Sequence, residues 1–484
     1  VVINNNPETV STDYSIADCL YFEPLAAEDV LHVIEKEQVE GVLIQFGGQT
    51  AINLAHDLEE EGIKILGTTV KNVDRLEDRK EFYQLLEDLN IPHIEGQTVS
   101  HSDELIEAAT KLGYPVLVRP SYVIGGQSMF TIFSEAELSQ YILQLKKNSQ
   151  ATMWPLLVDK YLPGLECEID VICDGENIVV PGIFEHIEKA GVHSGDSISV
   201  FPPISLSEKI KETLIDYAEK IANSAPVIGI MNIQFVIYEG QVNVLEVNPR
   251  SSRTVPIMSK VTGIPMIEWA TRVQLGETLS DLCSTKGLMD EPSYFSVKTP
   301  VFSSSKLKGV DHVLGPEMKS TGEALGMGVT YQKALEKSIP TLGGQQGENY
   351  IFCSISDRDK QASLPIIQEL VIKQYKIVAT EGTASYFQNH GIDVEKVIKD
   401  DAEVIELFRK QSMKAVINIP NQGRNKIKFG FQIREHAVRY KVPVFTHLDT
   451  IEAIIGLEKG SQSDSEVRSM NEYYKLEERG AVHG

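Results

Sequence analysis

Two strand-length runs, Asn232–Tyr238 and Gln241–Val247, lie almost back to back, and the second ends in a dense polar cluster. That cluster reads Glu246-Val247-Asn248-Pro249-Arg250, with Arg253 three residues further on. Residues two apart on a strand share a face, so Glu246 and Asn248 project together, and Gln234 on the preceding strand can join them. Their oxygens are hard donors of the kind Mg2+ takes when it also bridges phosphates. Arg250 and Arg253 add cationic donors for a transferring phosphoryl group or an anionic acceptor. Alone, the same letters would also fit a surface hairpin whose glutamate and arginines pair with each other.

Two further segments weigh against that plainer alternative. Arg119-Pro120-Ser121-Tyr122-Val123-Ile124-Gly125-Gly126 places a glycine loop between two predicted strands, where backbone N–H groups can close over phosphates and Arg119 adds charge. By itself such a loop is more often a turn. Glu185-His186-Ile187-Glu188 leads into Ala190-Gly191-Val192-His193-Ser194-Gly195-Asp196-Ser197. Small residues around His193 and Ser194 let backbone approach a ligand. A zinc site at His186 and His193 is a poor reading, because no other His or Cys stands at ligand spacing.

Residues 1–75 alternate short apolar runs with helical segments, a rhythm that predicts a parallel, doubly wound α/β sheet. From about residue 76 the texture turns to α+β. Helices are expected at Arg79–Leu89, Asp103–Leu112 and Ser207–Asn223, and strands at Pro115–Arg119, Leu156–Tyr161, Glu166–Cys173 and Ile178–Phe184. Pro340–Gly347 reads as a linker. Beyond it βα units resume in a small α/β domain, and the polar tail from Lys459 is expected to be poorly ordered. Expected domains are therefore 1–75, 76–280, 281–342 with the linker, and 343–484.

The formal charge of −24, from 45 basic and 69 acidic residues, disfavours nucleic acid and anionic lipid as partners. No apolar run approaches the roughly 18 residues that span a bilayer. Five cysteines without a C-x-x-C pair fit reduced thiols in a cytoplasmic protein.

In this order, NPETVSTD, FGGQT, EDR, RPSYVIGG, EHIEKAGVHSGDS, NIQF, EVNPRSSRTVP and GPEMKSTGE resemble the second synthetase half of the carbamoyl phosphate synthetase large subunit over roughly residues 1–340. Residues 343–484 resemble that subunit's regulatory domain. The resemblance implies a partial pre-ATP-grasp domain, an ATP-grasp domain and a methylglyoxal-synthase-like α/β domain. It also implies that the chain is a fragment, since it opens at Val1 within a predicted strand.

The implied reaction is phosphorylation of carbamate by ATP, with Mg2+ or Mn2+ and with K+ as an accessory cation. Arg79 and Arg119 would face the ATP phosphates, below Gly125 and Gly126. Lys160 and Leu162 would receive adenine through their backbone, and Glu166 the ribose hydroxyls. The hinge is one residue shorter here than in some relatives. Gly191, Val192, His193 and Ser194 would line the nucleotide pocket. Gln234, Glu246 and Asn248 would hold the metal, and Asn248, Arg250 and Arg253 would act on the phosphoryl group and carbamate. Implied partners are the missing N-terminal synthetase half, a glutaminase small subunit reached through the complete large subunit, and a small allosteric effector.

In the C-terminal domain Thr380-Glu381-Gly382-Thr383 stands at a strand-to-helix turn suited to an anion, although it would also serve as a plain helix cap. Lys360, Lys396 and Asn418 would complete an effector pocket. Asn418 is followed by Ile419 and Pro420 where nucleotide-regulated relatives tend to have threonines, and Thr299 stands where some amino-acid-regulated relatives carry an acid. The lost hydroxyl donors fit an arginine-pathway isoform with altered or absent nucleotide control, while the choice between the arginine and pyrimidine pathways stays open. Three other readings are a biotin carboxylase, a catalytically silent module that binds effector and nucleotide, and a methylglyoxal synthase. The last lacks a recognisable catalytic aspartate cluster.

Overall fold

A computed structural model describes residues 1–120, 129–147, 154–303, 311, 313–339, 342, 349–409, 413–420, 429–457 and 467–480 of the chain. They form two compact units, each assembled from separate stretches of sequence. The first takes Val1–Ile94, Cys167–Phe184 and Ser205–Pro292; the second takes Glu95–Glu166, Glu185–Ile204 and Ser293–Gly484.

In the first unit the expected α/β rhythm is present but its sheet is thinner than the sequence suggests. Val2–Asn4 pairs in parallel with Leu20–Phe22. The run after Gly41 meets the run after Ile63 only through the parallel bridge Val42↔Ile65. The ladder stops there because the backbone beyond it is used elsewhere: the Gln45 carbonyl accepts the Ser251 N–H at 2.9 Å. The helical stretch after Gly48 is split into Gly48–Ile52 and Ala55–Glu60. Helices Val70–Glu77 and Arg79–Asp88 follow, separated by Asp78 in extended conformation. The Asp78 carboxylate caps the second helix by accepting the Glu81 N–H at 2.9 Å, which sets Arg79 at its first turn.

Strands Ile228–Tyr238 and Gln241–Asn248 form an antiparallel hairpin, with strand Leu165–Asp174 beside the former. Helix Glu208–Ser224 is capped by Ser207 and buries Leu214, Ala218, Ile221 and Ala222. The run expected as one strand at Ile178–Phe184 is broken at Pro181-Gly182, giving Ile178–Val180 and Ile183–His186. Proline removes a ladder donor, which accounts for the break.

The second unit holds a four-stranded antiparallel sheet in the order Gly96–Val99, Leu156–Lys160, Val116–Pro120, Phe130–Ile132. Helices Ser102–Leu112 and Glu135–Lys147 cover it through Leu105, Ala108, Ala109, Leu138 and Ile142. Strands Ser199–Phe201, Phe295–Val301 and Gly322–Gly328 form an antiparallel set. The C-terminal domain has five parallel strands in the order Lys396–Ile398, Lys376–Thr380, Tyr350–Ile355, Met413–Ile419, Val444–Phe445. Along Tyr350–Ile355, Ile351, Cys353 and Ile355 enter one core and Phe352 the other, so both faces are covered by helices, as parallel sheets require.

The tail departs from expectation. Met470–Gly480 is a helix, and Tyr473, 4 % exposed, donates to the Met327 carbonyl at 2.9 Å while packing on Tyr294. One well-placed aromatic supplies the anchorage that the polar composition hides. The predicted linker falls largely outside the described residues. No helix among those described is long and apolar enough to cross a membrane.

Candidate active site

The hairpin in the first unit gathers the polar cluster. Gln234 and Glu246 are direct cross-strand partners, and Asn248 lies two residues beyond Glu246 on the same face. Asn248 Nδ2 donates to Glu246 Oε1 at 3.1 Å, and Arg250 Nη2 donates to Asn248 Oδ1 at 3.1 Å. Glu246 is exposed; Gln234, Asn248 and Arg250 are half-buried. One carboxylate and two amides on an open face suit a hard cation that keeps waters and phosphates in its remaining positions. The described residues contain no cluster of three or more His, Cys, Asp or Glu that would make a closed, all-protein cage.

The turn after this strand is held from two sides by residues of the same unit. Arg250 Nε donates to Gln49 Oε1 at 3.2 Å, and Gln49 Nε2 in turn donates to Glu77 at 2.9 and 3.1 Å. Burial raises the Glu77 pKa, opposed by the Gln49 amide and the Arg250 charge. Below it, Gln45 is 1 % exposed and joins four segments. Its Nε2 reaches Pro249 O at 2.9 Å, Thr68 Oγ1 at 3.1 Å and Ile230 O at 3.2 Å. Its Oε1 accepts from Gln274 Nε2 at 2.7 Å and from the Ile230 N–H at 3.2 Å. Gly229, with φ +122°, makes room for this amide: a Cβ there would lie 2.1 Å from Gln45 Oε1.

On the other side, Asp170 is fully enclosed and accepts from Ser252 Oγ at 2.7 Å, Thr254 Oγ1 at 2.5 Å and Asn232 Nδ2 at 3.0 Å. Burial, helped by the nearby Glu168 charge, pushes its pKa up to about 6 despite those donors. Arg253 stands exposed between the two hydroxyl residues. Arg79, in the same unit, lies over the Tyr83 ring and donates to its hydroxyl at 3.1 Å.

The remaining expected nucleotide residues belong to the second unit. Arg119 lies 3.7 Å from the buried Asp159 carboxylate. Lys160 ends its strand with its ammonium on the Gly113 carbonyl at 2.8 Å and its backbone N–H on the Glu95 carbonyl at 2.8 Å. Leu162 follows in the irregular segment. Glu166 is buried beside His186, 3.3 Å away. Gly191 has φ +109°, and a Cβ there would press on the Tyr161 hydroxyl at 2.9 Å and its ring at 3.1 Å, so glycine is required. Burial raises the Tyr161 hydroxyl to about 12, and it donates to the Ala190 carbonyl. Val192 is buried. His193 Nδ1 accepts the Gly195 N–H at 3.0 Å, and the Ser194 carbonyl accepts from Lys298 at 2.9 Å. Gly125 and Gly126 lie outside the described residues.

Among the expected effector residues, Lys360, Thr380 and Thr383 come together. Lys360 donates to Gly382 O at 2.8 Å, and the two threonine hydroxyls are 3.2 Å apart. Thr383 also accepts the Ile355 N–H at 3.0 Å. Asn418 instead accepts from Arg434, which holds Asp311 with two bonds of 2.8 Å. Lys396 lies 3.9 Å from Glu403. A separate cavity of ≈ 350 Å³ in this unit is lined by Glu188, Asp196, Thr299, Asp311, Lys319 and Thr446, among others. Burial depresses the Lys319 pKa against the pull of Asp311 and Asp196, and burial raises that of Glu188.

Comparison with known proteins gives three matches along the chain. Residues 1–75 match the carbamoyl phosphate synthase preATP-grasp domain, residues 78–282 the carbamoyl-phosphate synthase L chain ATP binding domain, and residues 362–446 the MGS-like domain. Among solved structures, the biotin carboxylase domain of Hydrogenobacter thermophilus 2-oxoglutarate carboxylase, with MgADP, ADP and bicarbonate, has 18% identity and a TM-score of 0.54. That match covers 69% of this chain and 82% of that one. A biotin carboxylase–β-γ-ATP complex from Campylobacter jejuni has 17% identity and a TM-score of 0.52, covering 65% and 78%. At such identities these likenesses establish the ATP-grasp-type fold alone, and the family is given by the three matches in sequence. The chain belongs to the carbamoyl phosphate synthetase large-chain family.

Proposed function

We propose that this chain phosphorylates carbamate with MgATP, the closing step of carbamoyl phosphate synthesis. The observation that carries the reading is the cross-strand pair Gln234–Glu246 with Asn248 and Arg250 bonded in series beside it. A carbamate oxygen attacks the γ-phosphorus, the bond to the β,γ-bridging oxygen breaks, and ADP leaves with that oxygen's electrons. The acceptor is already an anion, so no strong general base is needed. Rate comes from alignment and charge neutralisation.

Gln234, Glu246 and Asn248 would hold the metal, which when bound neutralises phosphate charge. Arg250, steadied by Gln49, and Arg253 supply fixed positive charge where the phosphoryl group and carbamate meet. Glu166 and the backbone of Lys160 and Leu162 serve the ribose and adenine. The solved biotin carboxylases hold MgADP or an ATP analogue, which supports a nucleotide substrate of the same kind. Allosteric control is assigned to the C-terminal domain, with Lys360, Thr380 and Thr383 as the anion-binding group. The glutaminase subunit and a first synthetase half would supply carbamate.

The test is the reverse reaction, ATP formation from ADP and carbamoyl phosphate, which needs neither ammonia nor bicarbonate. Glu246→Ala and Arg250→Ala should each abolish it while the fold is kept. Wild-type turnover in both variants would refute the site, and MgADP binding by the unmodified chain without turnover would favour a silent binding module.

A further inference from the structure

Ser252 and Thr254 flank Arg253, and both direct their hydroxyls onto one enclosed carboxylate. Ser252 Oγ reaches Asp170 Oδ1 at 2.7 Å and Thr254 Oγ1 reaches Asp170 Oδ2 at 2.5 Å, so each carboxylate oxygen holds one side of the arginine. The hydroxyls also lie 2.7 Å from each other, and the Thr254 N–H donates to Ser252 Oγ at 3.1 Å. Asn232, 1 % exposed on the neighbouring strand, fixes the carboxylate from the side through Oδ1 at 3.0 Å.

Thr254 occupies the N-cap of helix Val255–Thr262, yet its side chain makes no capping bond to that helix. The residue two on is Pro256, which has no N–H to offer, and Thr254 itself is in helical conformation with φ −80° and ψ −22°. Here the hydroxyl is committed to Asp170 instead. The arrangement fixes the backbone on both sides of Arg253 and leaves its side chain exposed.

We infer that Asp170, acting through Ser252 and Thr254, is a positioning residue that presents Arg253 to the transferring phosphoryl group. Asp170 touches no substrate in this arrangement, and its effect is carried by the aim of Arg253. The inference rests on the carbamate-phosphorylating reading of the site. It predicts that loosening the grip lowers turnover without weakening the nucleotide, because displacements of an ångström in an aligned group cost about 10- to 100-fold in rate.

The experiment uses the full chain and measures ATP formation from ADP and carbamoyl phosphate, together with calorimetric binding of MgADP. Thr254→Val and Ser252→Ala/Thr254→Val remove donors with little change of volume. The double variant should lose about 10- to 100-fold in kcat with the MgADP Kd held within about two-fold. Thr254→Ser, which keeps the hydroxyl, should restore turnover. Unchanged kcat in the double variant overturns the inference. So does a joint loss of MgADP affinity and turnover that Thr254→Ser fails to rescue, which would mark a merely structural role. An unmodified chain that binds MgADP but makes no ATP overturns the proposed function itself, a different result from either.

Discussion

Replacing Asp170 by Asn removes an ionisable group from an enclosed site and should change how stability depends on pH. The Asp170 carboxyl is raised from its ordinary 3.8 to about 6, burial first and the Glu168 charge second, against donors from Ser252, Thr254 and Asn232. A shift of about two units corresponds to ~3 kcal/mol between the two protonation states. The folded pKa lies above the unfolded one, so stability is fully present below about pH 4 and is lost as pH rises through about 6. The asparagine variant cannot ionise and has no such term. Wild-type stability relative to Asp170→Asn should therefore fall by ~3 kcal/mol between about pH 4 and about pH 7.5, then level off. The chain has two tryptophans, Trp154 and Trp269, and Trp269 belongs to the first unit. Urea titrations followed by fluorescence in a Trp154→Phe background thus report the unit that holds Asp170. A flat difference, or one that favours the wild type as pH rises, would refute the argument. It would mean that the three donors outweigh burial.

Gly229→Ala should cost about 2 kcal/mol or more, because φ +122° and the contact at 2.1 Å with Gln45 Oε1 act together; thermal unfolding of the first unit checks it. Asp311→Asn should lower stability at neutral pH by about 2–4 kcal/mol, since it strips the partner from a buried guanidinium. Burial alone would raise the Asp311 pKa, but the Arg434 bonds and charge bring it below the ordinary value, so its contribution persists above about pH 4 and disappears on acidification. Denaturation of both proteins across an acid series should show the gap closing as pH falls. Tyr473→Ala should cost about 3 kcal/mol and release the terminal helix, read as faster amide exchange over residues 470–480.

The hairpin was legible because strand periodicity and the spacing of Gln234, Glu246 and Asn248 act within some fifteen residues, and the structure brings these three together as that spacing requires. Helix Glu208–Ser224 was legible from its apolar spacing and Ser207 cap. Asp170 was not. Glu166, Glu168 and Asp170 alternate with apolar residues, a pattern that reads as a solvated strand face, yet all three are buried. The partners that make this tolerable, Asn232, Ser252 and Thr254, come from 62 to 84 positions away, a separation no local pattern encodes. Gln45 and Gln49 were visible only as letters at a strand-to-helix turn, and their tie to the arginine turn depends on tertiary contact. The tail helix was hidden by its polar composition, since its attachment rests on Tyr473.

The glutamine at position 45 has a consequence for how this protein can be cut. Family boundaries put a border near residue 75, but the amide that closes the Pro249 carbonyl and the Ile230 N–H is donated from before that border. A fragment starting at residue 78 would strip those groups of their partner, and one ending at residue 75 would leave Gln45 with only Thr68 of its four partners. The two segments make a single folding unit, and expressing them separately should yield two insoluble halves rather than two domains.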